Sequence, residues 1–172
     1  AAKELGLQRA MTFIVGMGET KDDLELLKNF ITKYEISKIH IYSLIPHEGT
    51  VFENSKIPTK EEQAWWIAQL RITFPKLDIQ CGVWEDRVDT ISYLLQAGAN
   101  SISKFKATKL FGTDKAKEIK KQATVVHRKF IGTLTKLPDI DWKEQINKLP
   151  FENKLKEDIK INLKYYKKIV NG

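Results

Sequence analysis

Cysteine occurs once in these 172 residues, at Cys81. That scarcity excludes an internal disulfide framework. It also excludes any metal or iron–sulfur site built from cysteines of this chain alone, and it fits a reducing compartment. No apolar run approaches the roughly 20 residues that a membrane-spanning helix needs, so no membrane partner is expected. The opening Ala1-Ala2-Lys3-Glu4-Leu5 does not read as a secretory signal, which would start with a charged tip and an apolar stretch. The location expected on these grounds is cytoplasmic. The chain has no initiator methionine and begins as though inside an element, so a fragment of a longer protein is expected.

What is present is ordinary for a globular protein, with 42% hydrophobic and 30% charged residues and length for one core-bearing domain and an appendage. The charge is uneven. Residues 1–102 carry 11 Lys and Arg against 14 Asp and Glu, whereas residues 103–172 carry 18 against 8. A basic half attracts anionic partners such as nucleic acid or an acidic protein surface. A lysine-rich, solvated helix surface without a partner explains the same composition, and the tail has no nucleic-acid motif with base-stacking aromatics.

Along the first 102 residues short apolar runs alternate with amphipathic ones, the rhythm of β–α units on a parallel sheet. Strands are predicted at 11–15, 38–45, 77–81 and 101–103. Pro46 stops the second, and a loop runs through Gly49 to Pro58. Thr20 is a good N-cap, with Asp22 and Asp23 in the following turn, and Leu24, Leu27, Phe30, Ile31 and Tyr34 recur at helical spacing. Thr59 and Glu62 form a capping box ahead of Ala64, Ile67, Ala68 and Ile72, a helix that Pro75 closes. A further helix is predicted over 85–96. Three or four parallel strands cannot close an eight-stranded barrel and leave an open edge, so strands before residue 1 are expected. Ala2 to Leu7 reads as the last turn of a preceding helix, capped by Gly6.

The tail is predicted to be helical. One helix spans 114–130 with Ala116, Ile119, Ala123, Val126 and Phe130 on one face, and a linker covers 133–138. Asp141 caps a short helix through Trp142 and Ile146, and Pro150 starts a last helix. Its apolar face is Phe151, Leu155, Ile159, Leu163, Tyr166 and Val170, regular enough to pack against the barrel.

Chemistry is carried by Thr12-Phe13-Ile14-Val15-Gly16-Met17-Gly18-Glu19-Thr20, a strand ending in two glycines, an acid and a helix cap. Glycines at a strand's C-terminal end let backbone approach a ligand, and in β/α barrels that end is where sites form. Alone this is plain turn chemistry, without the spacing of a dinucleotide fingerprint or a P-loop. Together with Leu44-Ile45-Pro46-His47-Glu48-Gly49-Thr50 and Ala97-Gly98-Ala99-Asn100-Ser101-Ile102, it resembles the second half of a barrel of the radical S-adenosylmethionine (SAM) enzymes, of the biotin synthase and lipoyl synthase type. The resemblance covers about residues 3–103. It implies an α/β fold, a partial TIM-like (β/α) barrel over 1–103, with residues 104–172 as a basic helical extension.

It further implies that Ile14, Gly16, Gly18, Glu19, Leu44 and Ile45 contact SAM, the last two through backbone groups at the adenine. Thr12 stands where the family pattern has its first glycine. The implied cofactors are SAM and a [4Fe–4S] cluster, the implied chemistry reductive cleavage of SAM to a radical that abstracts hydrogen from the substrate. The cluster-binding CxxxCxxC is absent, so the chain is expected to be inactive without a cysteine-bearing half or partner chain and an electron donor. Val83 stands where biotin synthases place a cluster-ligating arginine, which favours a lipoyl synthase-like or other enzyme of a small-molecule or carrier-bound substrate. No catalytic residue and no metal ligand is assigned.

Thr12, Cys81 and Trp84 are the candidate substrate contacts, Cys81 because it lies at a strand end and is expected to face the cavity. A lone strand cysteine also reads as a small buried hydrophobe. His40 reads as a core or cavity histidine, and His47 as surface or site. Trp65 and Trp66 lie in a helix, where at least one belongs to the core. Glu85, Asp86 and Asp89 cap and solvate a helix. Two rival readings are a phosphate-binding β/α-barrel enzyme and a non-enzymatic adaptor whose basic tail binds nucleic acid or an acidic partner.

Overall fold

The computed structural model describes residues 2, 4–103 and 105–171, without the side chains of Ala107, Thr108 and 168–171. Lys3, the boundary residue Lys104 and the side chain of Val170 thus lie outside the described residues. Strands β1 (Arg9–Val15), β2 (Ile36–Ser43), β3 (Asp78–Gly82) and β4 (Ser101–Ser103) form one sheet in the order β1-β2-β3-β4, every pair parallel. Between them run α1 (Leu24–Lys33), α2 (Lys60–Thr73) and α3 (Ile91–Gln96). Then follow α4 (Ala107–Leu110), α5 (Asp114–Val125), α6 (Trp142–Asn147) and α7 (Asn153–Asn171). This is a partial β/α barrel with a helical C-terminal region, as the β–α rhythm predicts.

Register fixes which residues see the helices. Phe13 pairs with Ile41, Ile41 with Cys81, and Cys81 with Ile102. With Ile39, Ile79 and Val15 these form the floor on which Leu24, Leu27, Ile31, Ala64, Trp66, Ile67 and Leu70 pack. Trp66 is buried and sets its ring 4.8 Å from Phe13, while Trp65 meets it edge-on at 5.0 Å and stays half-buried. The predicted apolar faces hold only in part. Phe30, Tyr34 and Ile72 share helical spacing with core residues yet are exposed, because their helices turn those positions past the sheet's edge of contact.

The core crosses the 103/104 boundary. Ile119 and Ala123 of α5 join it, with Phe105, Val126, Phe130 and Leu134 packed against it. α5 lies on α3, and α6 packs with α7. The strands shift by one or two residues at their ends, β1 starting at Arg9, β2 spanning Ile36–Ser43 and β3 Asp78–Gly82, and helix bounds move as well. The segment after β3 opens with a turn and a 3₁₀ stretch, Val88–Thr90, before α3. The last helix starts at Asn153 instead of Pro150. And α5 stops at Val125, five residues early, since His127 adopts a left-handed φ of 55°. There Arg128 N–H donates to the Ala123 carbonyl at 2.9 Å and His127 N–H to that of Thr124 at 2.9 Å, the Schellman pattern. Near the start, Gly6 is left-handed and Leu7 N–H donates to the Ala2 carbonyl, the geometry of a helix cap.

A non-glycine at a left-handed cap carries strain that glycine avoids. His127→Gly is therefore expected to stabilise the chain by about 0.5–1 kcal/mol in urea denaturation. A loss of stability would show that the imidazole contributes more than the strain costs.

Candidate site at the C-terminal ends of the strands

The parallel strands end together in a rim formed by Val15-Gly16, Ser43-Leu44, Gly82-Val83-Trp84 and Ser103. Two devices hold it. After β1 the chain turns through Gly16 (φ 99°) and Gly18 (φ 112°). The Glu19 carboxylate closes this turn, accepting from Gly16 N–H at 2.6 Å and from Met17 N–H at 2.9 Å. A Cβ at Gly16 would lie 2.5 Å from Pro58 Cγ, whereas one at Gly18 would meet nothing within 4 Å. Gly16 is thus required by packing and Gly18 by backbone conformation beside open space. Thr20 and Asp23 then form the capping box that launches α1 through a short 3₁₀ turn.

The second device is Gln63, buried in α2 and not singled out by sequence reasoning. Its Nε2 donates to the Ile41 carbonyl at 2.9 Å and to the Gly82 carbonyl at 3.0 Å, and its Oε1 accepts from the Ser43 hydroxyl at 3.0 Å. One amide ties the ends of β2 and β3 together and to α2. A glutamine one residue past a capping-box Glu looks like surface in sequence, so only the fold reveals it.

The face of the sheet turned away from the helices carries Thr12, His40, Gln80 and Ser101 in one register row, and Ile14, Tyr42, Gly82 and Ser103 in the next. A Cβ at Gly82 would sit 2.1 Å from the Tyr42 ring, so Gly82 makes room for that ring. Below, Lys38 and Asp78 pair at 3.0 Å.

Of the predicted site residues, Thr12 and Ile14 lie on this inner face, both exposed, and Gly16, Gly18 and Glu19 form the rim turn. Leu44 and Ile45 follow β2 instead of ending it. Leu44 N–H donates to the Val15 carbonyl at 2.8 Å, so that donor serves the β1–β2 seam. Trp84 is half-buried at the rim, beside Gly82, Arg87 and Thr90 in a small crevice. Cys81 is a correction. It does not face the inner space but stands with Ile41 and Ile79 toward the helices, fully buried, its Sγ donating to the Ser101 carbonyl at 3.4 Å. Nearness to a strand end says how close a residue is to the rim; the two-residue period says which face it takes. Burial pushes its thiol up to about 12. His40 is half-buried on the inner face and His47 exposed. Glu85 takes ion pairs from Lys106 (3.0 Å) and Lys115 (3.8 Å) rather than capping a helix.

Ala97-Gly98-Ala99-Asn100 falls at the opposite, N-terminal end of the strands. Asn100 N–H donates to the Ile79 carbonyl at 2.7 Å, and its Oδ1 accepts from Ile79 N–H at 2.9 Å and from Arg71. Arg71 Nε donates to the Gly98 carbonyl at 2.9 Å. This segment is a structural lock remote from the rim. Among the described residues no group of three or more His, Cys, Asp or Glu could hold a metal ion, and no helix is long and apolar enough to cross a membrane.

These features define the class of fold, part of a TIM-like β/α barrel. The structure is similar to the crystal structure of methylornithine synthase, a radical SAM enzyme, with a TM-score of 0.60 and 20% identity over 76% of this chain and 43% of that one. In sequence it is 37% identical over 168 residues, 98% of the chain, to the uncharacterized protein MJ0597 of Methanocaldococcus jannaschii. Those residues make up 46% of that protein, so the chain spans about half the length of the curated relative it matches. No family model matches.

Replacing Gln63 by Leu removes its bonds to two carbonyls and to the buried Ser43 hydroxyl, and should cost about 2–4 kcal/mol in urea denaturation. A change under about 0.5 kcal/mol would show that water takes over its role. Because the Cys81 thiol stays protonated until about pH 12, the folded chain should resist iodoacetamide at pH 8.5 and react once unfolded. Its folded pKa lies above the unfolded value, so stability is full below pH 8.5 and falls as pH rises from there toward 12. Alkylation of folded protein at the unfolded rate would refute the assigned burial.

Proposed function

We propose that this chain is the SAM- and substrate-lining part of a radical SAM enzyme acting on a small organic molecule. The observation that carries the reading is the rim itself, a glycine turn pinned by Glu19 at the end of β1, in a half barrel of the radical SAM kind.

The residues fit an adenosyl group. Ile14 offers an exposed apolar side chain on the inner face, and Gly18 leaves open space where a side chain would stand. Glu19 holds the turn so that its backbone keeps one conformation and orients what lies against it. Held against Ile14 and the Gly16–Gly18 turn, SAM would supply radical hydrogen-abstraction chemistry, with the electrons coming from outside this chain. The chain's own contribution is to bind, orient and shield.

The residues do not fit a [4Fe–4S] cluster. The single cysteine is buried on the helix side with its thiol protonated. The proposal therefore requires cysteines from another segment or chain, together with an electron donor. Sulfur insertion of the biotin or lipoyl synthase kind rests on the motif resemblance alone. The proposed reaction accordingly stops at hydrogen abstraction.

The test uses the longer protein that carries this segment, reconstituted anaerobically with iron, sulfide and a reductant. It should release 5′-deoxyadenosine from SAM. Gly18→Val, which forces a β-branched residue to a φ of 112°, should weaken SAM binding about ten-fold or more. SAM bound equally well by the variant, or no 5′-deoxyadenosine from a protein with an intact cluster, would refute the proposal.

A further inference from the structure

Behind the rim turn, on the helix side of the sheet, a cavity of about 280 Å³ lies between residues 15–21 and the first turns of α2. Its floor is the edge-to-face pair Trp65 and Trp66, with Pro58 in the wall. The cavity shares Glu19 with the rim turn and nothing with the inner face of the strands. An occupant would therefore sit behind the SAM site of the preceding proposal and not in it.

The donors and acceptors of the wall are spent unevenly. Its carboxylates are committed: Glu19 accepts from Gly16 and Met17 N–H, and Glu62 from Thr59 N–H at 2.7 Å. The Thr20 hydroxyl donates to Asp23 at 3.2 Å. Its donors are not. Lys21 and Lys56 are exposed, and neither makes an ion pair with a described residue. The Lys21 ammonium rests 5.2 Å from the Trp65 ring centroid, a contact that holds it at the cavity without neutralising it. Trp66 is 4% exposed, and no described residue bonds its indole N–H, although a buried tryptophan normally finds an acceptor. That nitrogen is not sealed from open space as the Trp84 nitrogen is. Unspent donors, two of them cationic, beside an indole floor select an occupant with an anionic acceptor at one end and a flat apolar body. The volume lies at the low end for a ligand pocket, so it admits a small molecule and no folded partner. Inorganic phosphate would leave the indoles uncovered.

We propose that this cavity is a second ligand site, for a small aryl carboxylate. The anionic end lies at Lys21 and Lys56 and accepts from the Trp66 N–H, and the ring lies on the Trp65–Trp66 pair.

The experiment is calorimetric titration of the longer protein that carries this segment, without SAM, using benzoate, phenylacetate and indole-3-acetate. Phenylacetamide serves as the uncharged counterpart and inorganic phosphate as the bare anion. At least one aryl carboxylate should bind with a Kd of about 1 mM or tighter. Phenylacetamide should bind about ten-fold more weakly or not at all, and phosphate should not compete. Replacing both lysines, Lys21→Gln with Lys56→Gln, should weaken the carboxylate about ten-fold. Both side chains are exposed, so an unchanged melting temperature without ligand separates lost binding from a folding defect. No carboxylate binding up to about 10 mM, equal binding of the amide, competition by phosphate, or affinity undiminished in the double variant would each overturn the proposal. Neither SAM nor turnover enters the measurement, so its outcome is independent of the radical-enzyme reading.

Discussion

Phe13, Ile41, Cys81 and Ile102 stand opposite one another across four parallel strands, and their immediate neighbours point the other way. A side-chain period of two, held in register over all four strands, gives the sheet one apolar face and one polar face. The apolar face accounts for the core: α1, α2 and α3 lie on it, and Ile119 and Ala123 of α5 complete it. The polar face accounts for the room left for chemistry. A slip of one residue in β3 would place Gln80 in the core and Cys81 on the inner face. Such a slip is expensive, since it would also remove Gly82 from beneath the Tyr42 ring.

Register of this kind needs the strands pinned at both ends. At the rim a buried amide does it, Gln63 joining Ile41, Gly82 and Ser43. At the far end Arg71 and Asn100 do it, with Asn100 exchanging two hydrogen bonds with Ile79 as a neighbouring strand would. A Cβ at Gly98 would meet Arg71 Cγ at 2.7 Å, so glycine there serves the guanidinium's path. The rim pin is a buried amide whose bonds are all made, the condition under which polarity in a core specifies an arrangement instead of weakening it. The far pin joins a half-buried Arg71 to an exposed Asn100.

This division explains what could be read from the sequence. The strand–turn–helix of residues 11–24 was legible because two glycines, an acid and a cap each act locally. The same holds for the Thr59–Glu62 capping box and for Asp141, whose carboxylate accepts from Lys143 and Glu144 N–H. The site roles of Thr12 and Ile14 came from the resemblance, and the strand period of two is what turns both to the inner face. What escaped depends on partners far along the chain. Gln63 resembles any helix glutamine until Ser43 and Gly82 are beside it. Cys81 was assigned by closeness to the rim, although Ile79 two residues earlier marks its face as apolar. Ala97 to Asn100 was legible as a turn and as part of the motif set, but not as the lock at the opposite end of the sheet. The early end of α5 was invisible because His127, not glycine, takes the left-handed position.

The tail's basic charge has a local explanation in the same terms. Lys117, Lys121, Lys148 and Lys160 each pair with an acid one turn away, and Lys106 and Lys115 converge on Glu85. Exposed pairs of this kind contribute little stability, a few tenths of a kcal/mol each. Their worth lies in keeping wet the outer faces of helices whose inner faces differ in what they cover. For α5 the covered surface is the barrel core. For α6 and α7 it is mainly each other, with Ile146 buried between them and the Lys167 ammonium 5.2 Å from the Trp142 ring. The excess of lysine over acid thus follows from long, half-covered helices whose exposed faces must stay wet. The described tail lysines with ion pairs find their partners on Glu85 or within their own helices.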